Sequence, residues 1–239
     1  MSRWLASLGP EIEPLLFWSG VTAAVYTGCR WTFRRTRLPV LHPGFTAILV
    51  MVAILELTGR PYVEFRAATA WINWLLGPAV VAMAVPIFQL RRTVRQNAGP
   101  LAAIIPLGMA FAVGSTTGLL AAFGRARPVV AAGALKSITS PVAWRLAGDA
   151  RVPVDTTLAG VLIAGMLGAT LGPTALRLLR VRDERAIGLA LGASAHGIGV
   201  ARAVEIGRTA GAFASIAMSG TAMLGALVLP YVLRYLVGG

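Results

Sequence analysis

The sequence predicts an all-α, polytopic membrane helix bundle, and three observations lead there. Of 239 residues, 56% are hydrophobic and 13% charged, and mean hydropathy is +0.73. That leaves too little polar surface to cover the apolar mass of a soluble domain. Apolar windows close to the roughly 20 residues that a spanning helix needs recur along the chain. Short arginine-bearing stretches separate them, as the positive-inside rule expects of cytoplasmic loops. The windows leave room for roughly six to eight crossings, about seven or eight segments with broken or re-entrant ones included. No long linker or low-complexity tract interrupts the chain, so 1–239 is expected to form a single membrane domain.

A net charge of +13 would suit nucleic acid, but the arginines sit in short loops between apolar runs. The expected partner is therefore the lipid bilayer, with no nucleic acid. Cys29 is the only cysteine, which excludes an internal disulfide and any cysteine-based zinc or iron–sulfur site. With His42 and His196 as the only histidines, no histidine-rich metal centre is available, and no cofactor is expected. Gly9, Pro10, Glu11, Glu13 and Pro14 interrupt the N-terminus before an apolar core begins, so the first hydrophobic segment is expected to stay in the mature protein.

A first span is expected at about 15–31, closed by the basic cluster of Arg30, Arg34, Arg35 and Arg37. A second is expected at 44–57 and a third at 71–90, followed by Arg91, Arg92 and Arg95. A fourth, 101–123, leads to a segment at 128–146 that is apolar at its ends and polar in its middle. Two long apolar segments follow, 156–176 and 187–204, separated by Arg177, Arg180, Arg182, Asp183, Glu184 and Arg185. If 128–146 enters and leaves on one side, every basic cluster falls in the cytoplasm, so a re-entrant or broken segment is expected there. The last span, 212–237, then leaves the C-terminus cytoplasmic. Trp18, Trp31, Trp71, Trp74, Tyr231 and Tyr235 are expected to form interfacial belts. Gly160, Gly165, Gly168 and Gly172 are expected to serve close helix packing.

Ionisable and backbone-breaking residues at membrane depth mark the places where chemistry is expected. The first is Lys136-Ser137-Ile138-Thr139-Ser140-Pro141. Pro141 removes an amide donor, and the hydroxyls of Ser137, Thr139 and Ser140 can cap exposed helix ends. A cation beside free N–H groups at a helix start would attract a carboxylate. The other use open to Lys136 is snorkelling to an interface. The second place runs from Gly192 through Ser194, His196, Gly197 and Gly199 to Arg202 and Glu205. Glycines here permit close backbone approach, and His196 titrates near neutrality. It could bind an anion or carry a coupling proton, or it could be a neutral packed histidine. Arg202 and Glu205 could simply pair along a helix. A weaker signal is Gly77-Pro78 and then Pro86, which should break the third span twice. Such breaks in both halves of a chain suit transporters built from two related halves, although mere proline bending fits too. An enzyme is not expected: Ser194 and His196 are two apart and point in different directions on a helix.

These motifs resemble the LrgB/CidB family of bacterial membrane proteins, which includes among its relatives the C-terminal half of the plastid glycolate/glycerate translocator. The resemblance covers nearly the whole chain. It rests on the stretch from Leu76 to Phe88, on Lys136-Ser137-Ile138-Thr139-Ser140-Pro141-Val142-Ala143, and on Gly192 to Ala203, in that order. Departures are Leu135 for a usual proline, Ser140 and Val200 for usual threonines, and Gly148-Asp149 for a usual glycine pair. The resemblance implies a protein of the bacterial cytoplasmic (inner) membrane. It would be either a carrier of small monocarboxylates such as glycolate, glycerate or pyruvate, or an antiholin-like regulator of murein hydrolase export and lysis. It also implies a second membrane protein of the LrgA/CidA type as partner, and a homo-oligomer is expected. On the carrier reading, Lys136, Ser137, Thr139, Ser140, Ser194, His196, Gly197 and Arg202 would bind substrate. Gly77, Pro78, Pro86, Pro141 and Gly199 would break the helices.

Overall fold

The computed structural model describes residues 2–36, 38, 41–75, 78, 81, 82 and 84–238. Every regular element among them is α-helical. The chain forms two compact units, Met1–Ala82 and Met83–Gly239. Of the helices, Ala98–Ala122, Val154–Leu178, Glu184–Ile206 and Arg208–Val237 are long and apolar enough to cross a membrane.

The first unit is built from α1 (Ser2–Thr36), α2 (Pro43–Thr58), α3 (Tyr62–Ala68) and α4 (Ala70–Trp74). His42 caps α2 by accepting the Gly44 N–H on Nδ1 at 3.3 Å, and Pro43 supplies the first-turn residue whose missing N–H costs nothing there. Gly59 ends α2 at φ 63°, a conformation that favours glycine. Trp18 is 1% exposed and packs in the core with Met51 and Ala68. Its Nε1–H donates to Glu64 Oε1 at 3.2 Å, and Glu64 also pairs with Arg60. Trp18 is thus a core residue and not the interfacial anchor expected, because Glu64 supplies a partner for its indole N–H inside the unit. Trp31, Trp71, Trp74, Tyr231 and Tyr235 are exposed.

The second unit comprises α5 (Ala84–Gln89), α6 (Arg91–Gln96), α7 (Ala98–Ala122), α8 (Arg127–Leu135), α9 (Ser140–Asp149), α10 (Val154–Leu178), α11 (Glu184–Ile206) and α12 (Arg208–Gly238). Its arginine-rich end is tied by hydrogen bonds from Arg185 to Asn97 at 3.4 Å and from Arg208 to Gln89. Asp183 caps α11 through the Arg185 N–H at 2.8 Å, and the Arg185 guanidinium holds its carboxyl below the usual carboxylate range. From this end α7 and α12 run parallel, so that Gly220 of α12 lies against Ile105 of α7. Both helices therefore finish at the opposite end.

The segment at 128–146 is broken and turns back. After α7 ends, α8 runs back along it, with Gly133 against Leu120 and Thr116. Residues 136–139 interrupt the helix, and Ile138 lies against Gly225 of α12. From there α9 returns, and Leu146, Asp149 and Ala150 line a cavity with Pro230, Leu233, Arg234 and Val237 at the far end of α12. Both arms of this first hairpin therefore open to the end opposite the Arg177–Arg185 cluster.

The segment at 187–204, expected to cross, also folds back. His196 adopts φ 49°, ψ −131° inside α11, which divides it into arms at 184–195 and 197–206. The arms lie side by side: Gly199 abuts the Leu191 carbonyl, and a Cβ on Gly207 would come within 2.6 Å of the Glu184 carboxylate. The first arm has 12 residues, or about 18 Å at 1.5 Å per residue, close to half of a roughly 30 Å hydrocarbon core. Because this second hairpin starts and ends at the arginine-rich end, α12 begins there and finishes at the other. The C-terminus consequently lies opposite the Arg177–Arg185 cluster and is not on its side as expected.

The other expected breaks fare differently. Gly77 lies outside the described residues, and Pro78 stands between undescribed neighbours. Pro86 lies within α5 and does not end it. Gly199 sits inside the returning arm of α11, three residues past the actual break at His196.

With Cys29 replaced by serine, single cysteines at Arg151 and Arg234 should react with an impermeant maleimide from one face of the membrane, and a cysteine at Arg180 from the other. Labelling of the Arg234→Cys and Arg180→Cys variants from the same face would restore a full crossing at 187–204.

Candidate functional site

Two helix reversals, entering from opposite ends, meet beside α10. The first carries Lys136, whose Cβ is 3.5 Å from where a Cβ on Gly160 would sit. The second brings Ala195 against Gly165 and Gly168, with a Cβ on Gly168 reaching within 2.8 Å of Ala195 Cβ. Gly160 and Gly165 are five residues apart, so the two tips differ in depth by roughly 8 Å along α10. The gap is narrow enough for side chains to meet. The His196 ring lies beside the Ser137 backbone and within electrostatic reach of Lys136. The Ser137 backbone is the one hydrogen-bonding group that acts on the ring among the described residues.

At the first tip Lys136 ends α8 and is half-buried. Ser137 is 4% exposed, and its Oγ has no hydrogen-bond partner among the described residues. Ile138 is fully buried and pins the reversal to α12 at Gly225. Thr139 occupies the N-cap position of α9, but its hydroxyl makes no capping bond, contrary to expectation. With Pro141 in the first turn, α9 has one fewer amide to satisfy. Ser140 and Pro141 are exposed. The half-buried Lys136 and the amide end of α9 belong to one helix reversal, a combination that favours an anion.

At the second tip His196 is 4% exposed. Its backbone lies in a region that residues bearing a Cβ rarely adopt, and such strain persists where the surroundings over-determine it. Ser194 is exposed and donates to the Ala190 carbonyl at 2.6 Å, while Gly197 is exposed with open space where a Cβ would point. Arg202 lies on the returning arm and pairs with Glu205 at 2.6 Å. Of the expected binding residues, the structure brings Lys136, Ser137 and His196 together. Thr139, Ser140, Ser194 and Gly197 flank the tips in chain order, and Arg202 is engaged with Glu205.

Sequence reasoning missed Glu184 and Gly207, which close the base of the second hairpin. The available signal was Gly207 itself, a break 11 residues past His196, which lies 12 residues past the start of α11. It also missed Ile138, whose apolar side chain inside a polar motif marks the face turned to the core.

This arrangement defines a multi-pass α-helical membrane protein in which two helix reversals come together. The chain belongs to the LrgB-like family, which matches it over residues 22–235. It is 34% identical over 214 residues to the uncharacterized protein YxaC of Bacillus subtilis, covering 89% of this chain and 92% of that one. An uncharacterized protein of Haemophilus influenzae is 31% identical over 203 residues, 84% of this chain and 87% of its own length. Holin-like protein CidB of Staphylococcus aureus is 29% identical over 192 residues, 80% of this chain and 84% of its own. No solved structure matches the chain.

The backbone strain at His196 gives a stability expectation that is separate from function. His196→Gly should be more stable than His196→Ala by about 1 kcal/mol or more, since both lose the ring and only glycine relieves the strain. Thermal unfolding in detergent measures it; an alanine variant at least as stable as the glycine one would move the reversal away from residue 196.

Proposed function

We propose that this protein carries small monocarboxylates across the bacterial cytoplasmic membrane, with 1–239 acting as one transport domain. The observation that supports this reading best is the convergence at two helix reversals of Lys136, the Ser137 Oγ, which has no hydrogen-bond partner among the described residues, and the buried His196 ring beside the Ser137 backbone. Irregular backbone at membrane depth is tolerated where it is buried or lines a polar cavity, and broken helices that meet midway are how many carriers build a substrate site. In this reading the carboxylate sits between the amide end of α9 and Lys136. The hydroxyls of Ser137, Thr139 and Ser140 add donors, and Ser194 and Gly197 line the second tip. His196 supplies the countercharge or coupling proton; Arg202, committed to Glu205, holds the returning arm. An inside-negative potential opposes anion entry by about 2.3 kcal/mol per charge per 100 mV, which co-transport of a proton would offset.

A second reading rests on the likeness to holin-like CidB. In it the chain regulates murein hydrolase export and lysis by assembling with copies of itself or with an LrgA/CidA-like membrane protein. Altered autolysis without saturable uptake would support it.

Proteoliposomes holding the protein should take up labelled glycolate or pyruvate saturably. A charge-assisted hydrogen bond contributes about 1.5–3 kcal/mol, so Lys136→Ala should weaken uptake roughly 10- to 100-fold. His196→Ala should abolish the dependence of uptake on a proton gradient. Wild-type flux in both variants would remove these two residues from the site.

A further inference from the structure

Three carboxylates stand toward the arginine-rich end of the second unit. Asp183 holds the Arg185 guanidinium, Glu205 pairs with Arg202, and Glu184 lies against Gly207. α6 is outside these pairings. It carries Arg91, Arg92 and Arg95, and among the described residues no carboxylate pairs with any of them. Residues three and four apart on a helix are neighbours, so Arg95 sits beside both Arg92 and Arg91, and like charges so spaced repel. The three line one cleft of about 390 Å³ together with Gln96.

Both ends of α6 are fastened. Gln89, just before it, accepts a hydrogen bond from Arg208 at the start of α12, and Asn97, just after it, accepts one from Arg185 at the start of α11. α5 packs on α12, yet its Val85 and Phe88 are 54% and 67% exposed. The Arg91 guanidinium lies 4.7 Å from the Phe88 ring centre and donates to the Phe88 carbonyl at 3.2 Å. α7, long and apolar enough to cross the membrane, starts two residues after Gln96. Unpaired cations and exposed apolar side chains therefore meet where a spanning helix enters the bilayer, the level of the lipid headgroups.

We propose that this cleft binds the headgroup of an anionic phospholipid, with phosphate oxygens on Arg91, Arg92 and Arg95 and acyl chains along Val85 and Phe88. Guanidinium groups grip phosphate oxygens in pairs, and basic pockets at the ends of spanning helices suit such headgroups. Free phosphate carries the same charge but leaves the apolar side of the site bare. A lipid seated here also steadies α6 and, through Gln89 and Asn97, the base of the second hairpin. The inference goes beyond the carrier reading and stands whether the protein moves a solute or acts by assembly.

The test titrates the full chain, in a mild non-ionic detergent, with phosphatidylglycerol, phosphatidylcholine or inorganic phosphate, followed by native mass spectrometry and thermal unfolding. Phosphatidylglycerol should form a discrete one-lipid adduct and raise the unfolding temperature at concentrations where phosphatidylcholine does neither. Each basic residue strengthens attraction to an anionic lipid by about fivefold, so the combined Arg91→Gln, Arg92→Gln and Arg95→Gln variant should bind on the order of 100-fold more weakly. Arg177→Gln, Arg180→Gln and Arg182→Gln together remove equal charge from the same end and should leave the adduct intact. Equal weakening in the two triple variants would reduce the effect to general surface charge and overturn the site, as would wild-type binding in the α6 variant. A thermal shift as large with inorganic phosphate as with phosphatidylglycerol would overturn the lipid as occupant. Arg95→Gln alone should weaken the adduct about fivefold and replaces the α6 triple variant if that one does not fold, with unchanged binding again overturning the site.

Discussion

The central constraint is that backbone N–H and C=O groups have no water to bond with at the middle of a membrane. Each helix reversal there strands up to four carbonyls and four amides, groups that at a protein surface would bond to water. This chain makes two such reversals, at 136–139 and at His196. Lys136, three hydroxyls and an imidazole stand around the tips, yet the Thr139 hydroxyl caps no helix end and the Ser137 Oγ has no hydrogen-bond partner among the described residues.

A reversal at membrane depth also needs its two arms to fit within the width that one helix would occupy. Glycine provides the room. Gly188 and Gly192 lie against the backbone of Ala210 and Ala214, Gly199 against the Leu191 carbonyl, and Gly211 against Val204. The ascending arm of α11, its returning arm and the first turns of α12 are packed as three adjacent strands of helix with backbone nearly touching backbone. That packing fixes where His196 sits. The first hairpin is held differently, by a large apolar contact: Ile138, Leu135, Ala143 and Ala147 join Leu229 and Leu233 of α12 in one core. One tip is seated by small residues and the other by bulky ones, although both end beside α10.

Much of this could be read in the chain itself. Lys136 to Pro141 announces a break because a proline follows a charge and three hydroxyls inside an apolar run, and the helix ends there. The glycine-rich run at 192–199 announces a second break, but composition does not say which residue turns. Gly199 was the natural choice on conformational grounds, yet the positive φ belongs to His196, because Gly199 is needed to pass the Leu191 carbonyl. Trp18 shows the same limit. Its place near a segment end suited an interface, and only the distant Glu64 explains its burial.

Class, membrane residence, the two polar interruptions and family membership follow from local composition and motif, since each depends on residues close together in the chain. Whether an apolar run crosses or returns does not. A stretch of 23 residues such as α11 has the length for either, and hydropathy is the same for both paths. The choice was made by contacts between residues far apart in sequence, Gly207 with Glu184 and Gly188 with Ala210, which decided the direction of α12, the side of the C-terminus and the meeting of His196 with Ser137.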